Sequence, residues 1–137
     1  MNYVEIIALE KRYGDTPIFQ NINFTIEQGE FITLLGPSGC GKSTLLRTLA
    51  GLTPVNSGEI YINGKAITHA KPQQRDIGMV FQSYALFPNM TAWDNIAFGL
   101  KMHKVSNSEI EQRVRRVVEV VELGGRERHY PHQLSGG

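Results

Sequence analysis

The segment Gly36-Pro37-Ser38-Gly39-Cys40-Gly41-Lys42-Ser43 constrains this chain more than any other. It fits the pattern G-x-x-x-x-G-K-[ST], whose chemistry demands a particular setting. Glycines reach backbone conformations closed to residues with a Cβ, so successive N–H groups can converge on phosphate oxygens. A helix must start near Lys42, because its positive dipole end then faces the same anion. A buried strand must deliver the loop, and Phe31-Ile32-Thr33-Leu34-Leu35 is apolar without polar alternation, as strands covered on both faces are. Behind the loop, Leu45, Leu46, Leu49 and Ala50 share a helical side, with Gly51 and Pro54 as stops. A chance match over the whole chain has odds on the order of one in a hundred. The motif therefore implies a nucleoside triphosphate with Mg²⁺: Lys42 on the β- and γ-phosphates, the Ser43 hydroxyl on the metal. Cys40 fills a free position in the loop and carries no chemistry of its own.

Around this loop the chain reads as α/β. Val4–Leu9 and the alternating Ile22, Phe24 and Ile26 predict two strands, with turn chemistry over Tyr13–Pro17 and over Glu27–Glu30. Asn63-Gly64 between Glu59–Ile62 and Lys65–Ile67 predicts a hairpin. Ile77–Phe81 reads as a further buried strand. Thr91 is placed to cap a helix carrying Trp93, Ile96, Ala97 and Leu100. Ser106 and Glu109 match a capping box ahead of a stripe of Ile110, Val114, Val117 and Val121, stopped by Gly124-Gly125.

Composition excludes several alternatives. Within 137 residues, 41% hydrophobic and 20% charged residues are ordinary for a globular chain and unlike a disordered tail. A net charge of +1 gives no bulk attraction to nucleic acid. No apolar run approaches the ~20 residues that span a bilayer, and Met1–Glu5 does not open a secretory signal. A single cysteine suits a reducing interior, so a soluble, cytosolic chain is expected. His69, His103, His129 and His132 lack metal-ligand spacing and read as surface or structural. Arg113, Arg115 and Arg116, near Glu111 and Glu119, read as a solvated helix face.

Four further features select among phosphate-loop families: Tyr13 before Gly14, Ser57-Gly58-Glu59-Ile60 leading into the hairpin, Gln82 after Phe81, and Leu134-Ser135-Gly136-Gly137. In this order they resemble the ATP-binding subunits of ABC transporters along essentially the whole chain. The resemblance implies a P-loop NTPase core with an N-terminal antiparallel β-subdomain and the start of an α-helical subdomain, the C-terminal part of the ATPase domain being absent from these residues. Residues 1–137 would form one incomplete nucleotide-binding domain, divided into 1–81 and 82–137. It further implies that Tyr13 stacks on adenine and that Gly36, Pro37, Ser38, Gly39, Cys40, Gly41, Lys42, Ser43 and Thr44 hold the phosphates and Mg²⁺. Gln82 would meet Mg²⁺ or the attacking water, and Ser135, Gly136 and Gly137 would contact a nucleotide on the opposite subunit. The implied partners are a second ATP-binding subunit, as a homodimer, and transmembrane permease subunits, at the inner face of the membrane. The family's catalytic Glu and switch His are not among these residues, so the segment alone is expected neither to hydrolyse ATP usefully nor to fold stably.

Phe81–Met90 is very apolar for a loop and suits a groove for a helix of a membrane partner. It looks like importers of the maltose, polyamine and ferric-iron type; Thr68-His69 and Gln73-Gln74-Arg75-Asp76 look closest to the ferric-iron importers. Competing readings are an inactive nucleotide- or permease-binding fragment, a soluble ABC-type ATPase, and a small-molecule kinase, the last leaving Leu134–Gly137 unexplained.

Overall fold

The computed structural model describes residues 2–83 and 85–135. Its chain divides into two compact units, Met1–Met79 and Val80–Gly137.

In the first unit, strands β1 (Asn2–Tyr13) and β2 (Thr16–Glu27) pair antiparallel, from Asn2 opposite Glu27 to Tyr13 opposite Thr16. Ile22, Phe24 and Ile26 are half-buried and their neighbours exposed, the period-two pattern that their spacing predicts. Strand β3 (Ser57–Ile62) joins the other edge of β1, and β4 (Lys65–Ala66) follows it, giving the order β2-β1-β3-β4. Asn63 and Gly64 connect β3 to β4 with φ of 50° and 75°. Positive φ at both positions is what a two-residue hairpin of type I′ requires. Helix α1 (Lys42–Ala50) lays Leu45 against Ile6, Leu9, Ile60 and Ile67 to form the core. Leu46 is not on the buried side as expected; Thr48 is, its hydroxyl donating to the Leu45 carbonyl at 2.7 Å.

Two expected strands do not form. Residues 31–35 and 77–81 have no strand structure, and Phe31, Leu35 and Val80 are 91%, 88% and 98% exposed. A strand exists only as a paired ladder, and no described segment pairs with either run. Leu34 alone of the first run reaches the core.

The second unit packs helix α2 (Ala92–Met102) on helix α3 (Asn107–Val120). The Thr91 hydroxyl accepts from the Asp94 N–H at 3.2 Å, the cap read from the sequence. The His129 and Glu127 carbonyls accept from the N–H groups of Ala92 and Trp93, so three donors at the start of α2 are paired. The core is Ala97, Ile110, Val114 and Val118. Val118 takes the place expected for Val117 and Val121, which are 41% and 52% exposed, because i, i+4, i+8 is the row that faces α2. The Ser106 side chain makes no capping bond, and α3 ends at Val120, before the Gly124-Gly125 pair.

Candidate functional site

Gly41 shapes the phosphate loop. It stands at the N-terminus of α1 with φ of 96°. A Cβ there would lie 3.0 Å from the Ile18 side chain and 3.3 Å from its carbonyl oxygen. Only glycine combines that φ with so close an approach to β2. The same contact fixes where the loop lies: Ile18 is two residues beyond Thr16, which pairs with Tyr13 at the tip of the β1–β2 hairpin. The hairpin tip and the loop are thus neighbours.

Lys42, on the first turn of α1, folds back over the loop. Its ammonium donates to the carbonyls of Gly36 and, at 3.2 Å, Pro37. Both bonds are exposed, so an anion entering from solvent can compete for the same cation. Ser38, Gly39 and Cys40 are exposed, and the Cys40 N–H donates to the Pro37 carbonyl at 3.3 Å. Ser43 is exposed and Thr44 half-buried on the first turn of the helix. A hydroxyl oxygen at that place is a hard donor of the kind Mg²⁺ takes, so the residues present fit the metal.

Tyr13 ends β1 and is 51% exposed. The Lys11 ammonium lies 4.9 Å from its ring centroid. Gln82 is exposed in a turn and belongs to the second unit, as does Ser135, which is exposed after a short 3₁₀ turn over Pro131–Gln133. Gly136 and Gly137 lie outside the described residues, as does Tyr84 of the apolar segment. In that segment Phe81, Leu86 and Phe87 are exposed, and Phe87 packs on Phe98 at 4.7 Å between ring centroids. His69, His103 and His132 are exposed and His129 half-buried.

Three residues organise this architecture in ways that the sequence does not announce, although Arg75 belongs to the segment that resembles the ferric-iron importers. Lys11 is buried, and its Nζ donates to the Pro54 carbonyl at 2.7 Å. Its place two residues before Tyr13 on one strand was a usable signal. Arg75 is buried and donates to the carbonyls of Thr48 and Leu49 at the end of α1 and of Thr68 and Ala70. Burial pushes its pKa below the usual guanidinium value. Asn95 holds the loop before α2, accepting from the Phe87 N–H at 2.9 Å and donating to the carbonyls of Phe87, Met90 and Thr91. No local pattern announces either of the last two.

A glycine-rich loop at a helix start, lying against a β-hairpin and carrying a lysine on the first helical turn, is the frame of a P-loop NTPase. Residues 19–137 match the family described as ABC transporter, and the chain belongs to that family. It is 53% identical over 136 residues to the Fe(3+) ions import ATP-binding protein FbpC of Escherichia coli O157:H7, covering 99% of this chain and 39% of the relative. It is 52% identical over 134 residues to the spermidine/putrescine import ATP-binding protein PotA of Pasteurella multocida (strain Pm70), covering 98% and 36%. The dimeric structure of the ATP-binding cassette MJ0796 bound to ADP and Pi, in a post-hydrolysis state, superposes with a TM-score of 0.84 at 32% identity. That match covers 97% of this chain and 63% of the other. The chain spans about two fifths of the length of the curated relatives it matches.

Proposed function

We propose that this chain is the nucleotide-binding front part of an ABC importer's ATP-binding subunit, which couples ATP binding and hydrolysis to solute uptake. The observation that carries the reading is the Lys42 ammonium resting on exposed loop carbonyls beside Gly41. It is a cation already aimed at the cradle and held only by groups that a phosphate can displace. The loop N–H groups from Gly36 to Gly41 and the start of α1 receive the β- and γ-phosphates, with Lys42 neutralising their charge. Tyr13 takes the adenine on its exposed face. The Ser43 hydroxyl would hold Mg²⁺, which when bound would screen the phosphate oxygens. Ser135, with Gly136 and Gly137, meets the nucleotide of a second copy, in keeping with the dimeric relative.

Ferric iron is the proposed solute, with a polyamine or a sugar as the alternative; FbpC and PotA relatives at 53% and 52% identity favour the first two. Permease subunits are the proposed membrane partner, at the cytoplasmic face. The exposed Leu86 and Phe87 and an apolar hollow lined by Ile96, Leu100, Val114 and Val117 support it. No helix among the described residues is long and apolar enough to cross a membrane.

Isothermal titration of the intact protein tests the reading. Lys42→Ala lowers Mg·ATP affinity at least about tenfold, the scale of one charge-assisted contact to phosphate. Ser135→Arg leaves that affinity alone and blocks dimer closure, read by light scattering with ATP. Unchanged ATP affinity in Lys42→Ala refutes the site.

A further inference from the structure

Lys11 and Tyr13 stand two apart on β1, so their side chains leave the same face of the strand. They differ sharply in exposure: Lys11 is 6% exposed and Tyr13 51%. A buried ammonium needs compensation, and among the described residues no carboxylate lies within ion-pair distance of this one. It has the Pro54 carbonyl at 2.7 Å and the π-face of Tyr13 at 4.9 Å. The carbonyl thus holds the ammonium at the loop that follows α1 while it lies over one face of the ring.

We propose that Lys11 is the positioning residue of the nucleotide-base platform: it clamps one face of Tyr13 and leaves the other face presented to the base. This rests on the reading of Tyr13 as the adenine platform. Tyr13 is the last residue of its strand, tied across the hairpin to Thr16. Without a clamp its ring samples several rotamers, and base binding has to order them. With the cation seated, the ring is ordered before the base arrives, which raises affinity with no contact between Lys11 and the nucleotide. One ring face is covered by an ammonium, so stacking is one-sided.

The test compares ATP with inorganic tripolyphosphate, which has the phosphates and no base, by titration calorimetry on the intact protein. In Lys11→Met the affinity for ATP falls about threefold to tenfold, the range of one cation–π contact, and that for tripolyphosphate is unchanged. Lys11→Arg keeps the charge over the ring and retains ATP affinity. Lys11→Gln keeps a donor for the Pro54 carbonyl without the charge, so it separates the clamp from the loop anchor and guards against a misfolded Met variant; it shows the same ATP-only loss. In the Tyr13→Ala background, Lys11→Gln has no further effect. Equal loss of both ligands in Lys11→Gln, or no loss of either, overturns the proposal. If Tyr13→Ala weakens ATP and tripolyphosphate equally, the base-platform reading itself fails.

Discussion

The two units differ in their buried cations. In the first, Arg75 and Lys11 are buried and donate to backbone carbonyls at the end of α1 and in the loops after α1 and β4, while Arg12 makes an exposed pair with Glu10 at 3.0 Å. In the second, Arg113 and Arg115 stay exposed, each pairing with a glutamate four residues back on the same helix, at 2.8 and 2.9 Å. Arg115 and Arg128 also lie over the Trp93 ring, at 5.6 and 5.9 Å. A buried cation that satisfies several carbonyls is hard to replace, because its removal strands all of them. An exposed pair gains little, since water already solvates both charges. Lys42 falls between these cases: it rests on carbonyls, as the structural cations do, but in reach of solvent. The difference separates a cation that holds the fold from one that can be borrowed by a ligand.

Arg75→Met is the strongest way to break this contrast. It removes the charged donor from the Leu49, Thr68 and Ala70 carbonyls and leaves Thr48 only the Gly51 N–H at 3.2 Å, and stability to urea is expected to fall by about 3 kcal/mol, the cost of losing charge-assisted bonds in a buried place. A loss below about 0.5 kcal/mol, the level of a surface substitution, would erase the distinction between the units.

Helix ends extend the comparison. Among the described residues the three α-helices are each followed by a residue in the left-handed region: Gly51 after α1, Lys104 after α2 and Glu122 after α3, with φ of 83°, 57° and 58°. A Cβ at Gly51 would come within 2.6 Å of the Arg75 Nε, so both the φ and the buried guanidinium disfavour a side chain there. Glu122 is exposed and carries the strain of its conformation openly. Glu122→Gly should therefore raise stability by about 0.5–1 kcal/mol, seen as a higher urea midpoint at unchanged slope. A lower midpoint would mean that the Glu122 side chain contributes more than its backbone costs.

The smallest effect belongs to the exposed pair. Glu111→Gln removes the carboxylate from Arg115 and should cost about 0.3–0.5 kcal/mol at low salt, fading as salt is added. A loss several times larger that persists at 1 M salt would show that Arg115 needs Glu111 to hold its place over Trp93.

What was legible in the sequence shares one property: it is fixed within a few residues. The helix start at Lys42, the Asn63-Gly64 turn, the Thr91 cap and the alternation of Ile22, Phe24 and Ile26 each express local backbone geometry, and each stands in the structure as read. The misses are of the other kind. Phe31–Leu35 and Ile77–Phe81 have strand composition, but pairing depends on a neighbour that composition cannot supply. Val118 rather than Val117 faces α2 because the packing partner selects the row. Lys11 and Arg75 look like surface cations until their carbonyls, up to 43 residues away, are in place. The sequence by itself determined the family, because the motifs that mark it are short-range patterns. Tertiary structure decided which cations are buried and which stay within reach of solvent, because burial is set by residues far apart along the chain.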